Sequence, residues 1–570
     1  MSTEVPSPPT WKALVDDKRA RQQASIPADW LPLIEPHIPS PDTLDVSGIP
    51  DQCTELLSEQ EREITNTIDV QVLLAKLASE EWSSVEVTTA FYKRAIIAQK
   101  LTNCLTEIFV ERALARAAEL DAYLKEKGKP MGPLHGLPMS LKDQICIKGL
   151  ETTMGYVSWI GKYADRDAAL VEVLYKCGAV PFVRTNVPQT LMWPESFNNV
   201  FGRTVNPYNR LLTCGGSSGG EGALVALRGS PLGVGSDIGG SVRIPSAFCG
   251  TYGLRPSYHR IPYEGAVNSM QGQDSVPSVF GPLANSVSGL KLFTQAVVAS
   301  EPWRLDPLCV RKKWDQEAYE LKEHGGGKEM CFAVLWDDGW VKPHPPIIRG
   351  LETVRKALQA KGHKVIDWVP LKHKEVVDTL GAIWAAGAVE DYSVTTQPTG
   401  EPVLATMAED DDSVVESGFR PSNSETVSAY RLWQLHLKKR ELRKEYLDHW
   451  EATAEKTGTG RPVDAIIAPV AAYAAPPHGK NRSAAYTTVW NGLDYTALVI
   501  PVSKVDETMD AKVPPHQFLS KEDEVNYHLY DPATFKNAPI AVQLVGRTLE
   551  EEGVIGMAEI VDSALKEAAP

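Results

Sequence analysis

The sequence predicts an α/β fold with one large mixed sheet flanked by helices, and three stretches carry that expectation. Between about residues 134 and 300, short apolar strands such as 179–184 and 232–236 alternate with helical patterns. A β-α-β unit follows, with strands at 331–336 and 364–368 around a helix at 347–361. The last third returns strands at 465–468 and 541–545 and closes on a helix at 550–566.

In chain order, residues 1–60 read as a Pro-rich arm with one charged helix at 11–23, and 61–570 as one large unit. Helices then read at 70–77, 84–99 and 111–125, the last placing Leu114, Ala117, Ala118 and Leu120 on one face. The approach Gly136-Leu-Pro-Met-Ser-Leu141 is mostly apolar and reads as a buried strand. Polar runs near 395–425, including Glu409-Asp-Asp-Asp412, read as surface loops, their charge a solvated face.

Composition narrows the function. With 43% hydrophobic and 23% charged residues over 570 positions, the chain can bury a large core. A formal net charge of -15 argues against nucleic acid or an anionic membrane as partner. The 8 cysteines are scattered without Cys-x-x-Cys or Cys/His ligand spacing, so reduced thiols and no bound metal or other cofactor are expected. The first residues lack the apolar core of a signal peptide and no apolar run is long enough to span a bilayer, which points to a cytoplasmic protein without a membrane anchor. Homo-oligomerisation is left open.

The chemistry concentrates in two glycine-bracketed serines. Ser217 and Ser241 lie 24 positions apart in Cys214-Gly-Gly-Ser-Ser-Gly-Gly-Glu221 and Ser236-Asp-Ile-Gly-Gly-Ser-Val-Arg243. Glycines at this density serve a backbone that turns tightly or approaches another group closely. Successive N–H groups in such a turn can hold the oxyanion of an acyl-transfer intermediate, which places Ser241 as a nucleophile beside its own oxyanion hole. A serine needs a base, and no histidine occurs in this segment before His259. The alternative is a lysine whose reference pKa of about 10.4 is lowered to roughly 7–8 by burial. Lys142, at the end of the apolar approach, fits that requirement, with Ser217 bridging it to Ser241.

At these residues the chain resembles the amidase signature family. Gly215–Val225, Gly235–Gly250 and Gly253-Leu-Arg-Pro256 carry the likeness, Pro133–Asp143 matches the family's lysine motif, and similarity returns at Trp490-Asn491, Ile500-Pro-Val502 and Ala538–Gly546. Within the family the chain looks most like fungal-type general amidases and acetamidases, related to the fatty-acid amide hydrolases. The resemblance implies Ser241 as acyl-enzyme nucleophile, Ser217 as a relay serine in a cis peptide, and Lys142 as the terminal acid/base. It also implies an oxyanion hole from the amides of Ile238, Gly239, Gly240 and Ser241, with Asp237, Arg243 and Cys249 supporting the turn. Ser236 stands where relatives often carry threonine. By position, Thr190-Leu-Met-Trp-Pro-Glu-Ser196 matches a segment lining the acyl pocket, so Met192 and Trp193 are candidate wall residues, and Trp490 is a further candidate to reach it.

Other readings of the same residues predict other chemistry. Gly216-Ser-Ser-Gly-Gly220 satisfies Gly-x-Ser-x-Gly, which would make Ser218 the nucleophile of a hydrolase elbow, but 205–210 does not read as the buried strand that must precede one. A phosphate-binding loop would need a lysine after Gly220. A third reading is an amidotransferase subunit that delivers ammonia to a partner chain. The expected substrate is a small carboxylic amide, with carbamates also compatible.

Overall fold

The computed structural model describes residues 10–404, 407 and 427–568. Its centre is an 11-stranded mixed sheet. We number its strands β1 (Leu105–Ile108), β2 (Pro138–Lys142), β3 (Val180–Thr185), β4 (Leu232–Asp237), β5 (Tyr252–Arg255), β6 (Val279–Ala284), β7 (Cys331–Val334), β8 (Lys364–Asp367), β9 (Ala465–Pro469), β10 (Ala497–Lys504) and β11 (Pro539–Val545). Their spatial order is β1-β3-β2-β4-β6-β5-β10-β11-β9-β7-β8. The strands β3-β2-β4 and β9-β7-β8 pair parallel, and the other pairs are antiparallel. The central strands β2, β3, β4, β6 and β11 are buried throughout, and the four of these that the sequence indicates, β2, β3, β4 and β11, read as largely apolar runs rather than alternating ones.

The helices used below are α1 (Trp11–Ala24), α2 (Ser84–Thr102), α3 (Val110–Lys127), α4 (Gly219–Ala226), α5 (Arg243–Phe248), α6 (Pro345–Ala360), α7 (His373–Thr396), α8 (Ala429–Glu451), α9 (Ala485–Leu493) and α10 (Glu551–Ala568). α2 starts in a capping box in which Ser83 and Glu86 satisfy each other's backbone N–H groups, and it stops at Asn103, whose φ of 55° is left-handed. α3 ends on Gly128 in the same conformation. Both expected helices run two to three residues past their predicted ends, as frayed boundaries do.

The sequence reading passed over α7 and α8. α7 carries several alanines and two glycines and packs on both α8 and α9, so tertiary contacts define it rather than a clean apolar stripe. The acidic run 409–412 lies outside the described residues. The segment 205–210 contributes a hairpin of Val205–Asn206 against Asn209–Thr213 that stands apart from the large sheet. Seven of the cysteines are buried, Cys146 is half-buried, and all are free. No helix among the described residues is long and apolar enough to cross a membrane.

Candidate active site

β2 delivers Lys142 to the interior at its C-terminal end, where it is fully buried. Its Nζ lies 2.7 Å from Ser217 Oγ and 2.8 Å from Ser236 Oγ. The Ser236 hydroxyl donates to Gln144 Oε1 in a short contact, and the Gln144 amide is oriented by its Nε2, which donates to the Val267 carbonyl at 3.0 Å. Ser236 has therefore spent its single hydrogen and can only accept from Lys142. A neutral amine that gives one N–H to Ser236 turns its lone pair to the remaining neighbour, the hydroxyl of Ser217. Burial pushes Lys142 down to about 7, against the opposing pull of Asp237 and Glu221.

Ser217 follows Gly216 through a cis peptide bond. A Cβ at Gly216 would sit 2.4 Å from the Glu195 carbonyl oxygen, so only glycine lets this turn close. Ser218, the alternative nucleophile, is fully buried. Its hydroxyl donates to the Ser236 carbonyl at 3.3 Å and accepts from the Ser236 N–H at 3.2 Å, while its N–H donates to the Ser241 carbonyl at 3.1 Å. Ser218 thus ties the two serine loops together.

Beyond β4 the chain turns through Ile238-Gly-Gly-Ser241 before entering α5. Asp237 and Arg243, both fully buried, pair at 2.9 Å and brace that turn from below. Burial alone would raise Asp237, but the Arg243 guanidinium outweighs it and holds the carboxylate below its usual range. Asp237 also accepts from the Gly240 N–H at 2.8 Å and from Asn491 Nδ2 at 2.9 Å. Arg243 donates further to Asn491 Oδ1 (2.6 Å), Gln543 Oε1 (3.2 Å) and the Thr487 carbonyl (3.0 Å). The distant motifs around 491 and 543 therefore converge on this one ion pair. Thr487 and Thr488 hold the turn from above, both donating to the Gly239 carbonyl at 2.7 and 2.9 Å. Gly240 has φ 134°, and a Cβ there would meet Thr487 Oγ1 at 2.1 Å. The geometry corrects one expectation: the Gly240 N–H is engaged by Asp237 and points into the turn, not toward an oxyanion. Cys249, as expected of a supporting group, is buried with its Sγ 3.4 Å from the Cys214 carbonyl.

Ser241 opens onto a cavity of about 260 Å³. Gly216, Ile238 and Gly239 line it beside the serine, and the expected Met192 and Trp193 are in its wall. The sequence reading missed Trp340, Val377, Trp384, Arg482 and Thr488, which α7, α9 and two loops bring in. Trp490 is a correction. It is wholly buried and packs on His373, Tyr446 and Tyr495. Two residues along α9 from the cavity-lining Thr488 is a rotation of about 200°, which turns the indole to the opposite face. His259, the first histidine after the serine motifs, lines a different cavity of about 530 Å³.

Comparison with known proteins fits this construction. The family model described as "Amidase" matches residues 86–555. The chain belongs to the amidase family. Among curated amidase relatives, an acetamidase of Aspergillus oryzae is 44% identical over 561 residues, covering 98% of this chain and 99% of the relative. An acetamidase of Emericella nidulans is also 44% identical, covering 98% and 99%. Among solved structures, a fatty acid amide hydrolase superposes with a TM-score of 0.87 at 33% identity, covering 97% of this amidase and 95% of that chain. The mixed sheet and its helices are thus the amidase fold, and the chain is an enzyme of that family.

Proposed function

We propose that this enzyme hydrolyses small carboxylic amides of the acetamide type to carboxylate and ammonia or amine, through an acyl-enzyme on Ser241. The observation that carries the reading is the buried Lys142 amine, 2.7 Å from Ser217 Oγ and 2.8 Å from Ser236 Oγ; once neutral, it can accept the Ser217 proton. In acylation, Lys142 takes the Ser217 proton, Ser217 takes the Ser241 proton, and Ser241 Oγ attacks the amide carbon. The oxyanion is met by the N–H groups of Ile238, Gly239 and Ser241, donors already fixed by the Asp237–Arg243 brace. The proton returns from Lys142 through Ser217 to the leaving nitrogen, the C–N bond breaks, and a water activated along the same path hydrolyses the ester.

Met192, Trp193, Trp340 and Trp384 enclose a volume suited to a short or flat acyl group, and the acetamidase names of the relatives agree with that size. Carbamates present the same carbonyl and fit the same site. We place the activity in a cytoplasmic catalytic unit of residues 61–570, with residues 1–60 as an arm; α1 of that arm contacts β1.

The test is the pH dependence of kcat/KM for acetamide with the purified chain. The rate should rise through about pH 7 as Lys142 loses its proton, and a folded Lys142→Ala variant should lose that rise together with about 10²–10⁴-fold of the rate. Near-normal turnover by that variant with an unchanged profile would overturn the reading.

A further inference from the structure

Glu221 on α4 is completely buried, and no described cation lies within ion-pair distance of it. Its Oε1 accepts from Thr185 Oγ1 at 2.9 Å. From Oε2 a chain of close oxygens runs away through the sheet. Oε2 is 2.6 Å from Ser140 Oγ, Ser140 Oγ is 2.9 Å from Ser230 Oγ, and Ser230 Oγ is 3.0 Å from the Leu232 carbonyl oxygen.

These are three oxygen–oxygen contacts, and each needs one hydrogen. The carbonyl has none to give, and the two serines supply two. A hydrogen on the carboxyl supplies the third, so that no hydroxyl hydrogen has to be shared between two acceptors. The consistent assignment runs one way: Glu221 donates to Ser140, Ser140 to Ser230, and Ser230 to the Leu232 carbonyl. The Ser140 backbone N–H also donates to Ser230 Oγ at 3.3 Å, which still leaves that hydroxyl within its limit of two acceptor sites. With an ionised Glu221, the two hydroxyl hydrogens would have to serve all three contacts.

We infer that Glu221 is a positioning residue held as a neutral carboxylic acid by the Ser140–Ser230 relay, and that its neutrality keeps the adjacent Lys142 amine unprotonated. This rests on the proposed role of Lys142 as base. Ser140 and Lys142 are two residues apart on β2 and so project to the same side of the strand. Two carboxyls act on Lys142, Asp237 from β4 and Glu221 from α4. Asp237 is committed to Arg243, whereas among the described titratable groups Glu221 faces Lys142 and the neutral Cys104 thiol, which burial pushes up to about 12. Burial likewise pushes the Glu221 carboxyl up to about 8, against the Ser140 and Thr185 hydrogen bonds. An anion at this position would favour the ammonium form of Lys142, and a nearby opposite charge raises a base by about 1–3 pH units.

The relay can be broken without touching either group. In Ser230→Ala the Ser140 hydroxyl loses its acceptor and turns its hydrogen to Glu221, favouring the carboxylate. The midpoint of the kcat/KM profile for acetamide should then rise by about 1 pH unit or more, lowering the rate at pH 7 about fivefold. Adding Glu221→Gln should return the midpoint to its original place, because glutamine donates to Ser140 through its amide nitrogen, accepts from Thr185 through its oxygen, and cannot ionise. Difference infrared spectra of the full chain at pH 7 should show the carbonyl stretch of a protonated carboxylic acid that is lost in both Ser230→Ala and Glu221→Gln. The inference is overturned if that band is missing from the unsubstituted enzyme, if Ser230→Ala leaves the midpoint in place, or if Glu221→Gln alone moves it downward. That last result would mean the glutamate had been an anion. Activity retained by Lys142→Ala would instead refute the base assignment while leaving the infrared result intact, so the two failures are distinguishable.

Discussion

A lysine kept neutral by burial is a liability to the fold, and its removal should therefore stabilise the protein. Lys142 falls from 10.5 to about 7 in the folded chain. At about 1.36 kcal/mol per pH unit, folding against that change costs about 5 kcal/mol at and below pH 7. Lys142→Met keeps a similar apolar stem and removes the ionisable group. The substitution also strips Ser217 and Ser236 of a partner, at about 1–3 kcal/mol each for a buried group left unpaired. Near pH 6–7 these terms bracket a loss of about 1 to a gain of about 3 kcal/mol, and a gain is expected because Ser236 keeps its hydrogen bond to Gln144. Between about 7 and 10.5 the unfolded lysine still binds a proton that the folded one has released, so the enzyme carrying Lys142 gains stability as pH rises and the advantage of Lys142→Met shrinks. Above 10.5 both forms are neutral and only the lost hydrogen bonds remain. Urea unfolding of both proteins at pH 6, 8 and 10 reads this directly, since the difference cancels all other titrating groups. A stability difference that stays constant over that range would refute the claim that Lys142 is buried without its charge.

Further consequences follow from the braces and walls of the site. Asp237→Asn leaves Arg243 charged and unpaired in the interior and should destabilise the chain by about 3–5 kcal/mol, read as lost soluble yield or a lowered urea midpoint. Trp193→Ala enlarges the cavity at its wall and should raise kcat/KM for hexanoamide relative to acetamide; an unchanged ratio would remove Trp193 from the acyl site. Chelation by EDTA should leave turnover intact, because the oxyanion is assigned to backbone donors, and a loss that zinc restores would contradict that assignment.

Much of the site was legible because its parts are local. Lys142, Ser217, Ser241 and their glycines fall in three short segments, and each glycine that matters does so through a clash any side chain would make, as at Gly216 and Gly240. The strands β2, β3, β4 and β11 were legible for a similar reason, since burial on both faces favours a largely apolar run, whereas β1, β5, β6 and β10 were not read as strands. The groups that set the cavity were not. Trp340, Trp384 and Arg482 reach Ser241 from elements far along the chain, and nothing in their local sequence marks which side of a helix or loop faces the serine. Trp490 shows the same limit: a residue inside a recognisable motif, turned away by one helical rotation. The Gly240 N–H was misassigned because four consecutive amides look equivalent in sequence, and only the position of the Asp237 carboxylate distinguishes them. α7 was missed because its definition comes from packing on α8 and α9 rather than from its own pattern.

The most direct measurement of the central claim is the site of covalent capture. A serine-directed fluorophosphonate reacted with the full chain and mapped by mass spectrometry should label Ser241, which borders the cavity, and Ser218→Ala should still carry that label if it folds. Ser241→Ala should lose both the label and amide turnover. A label on Ser218, whose hydroxyl is here held between the Ser236 carbonyl and N–H, would contradict the account and restore the hydrolase-elbow reading.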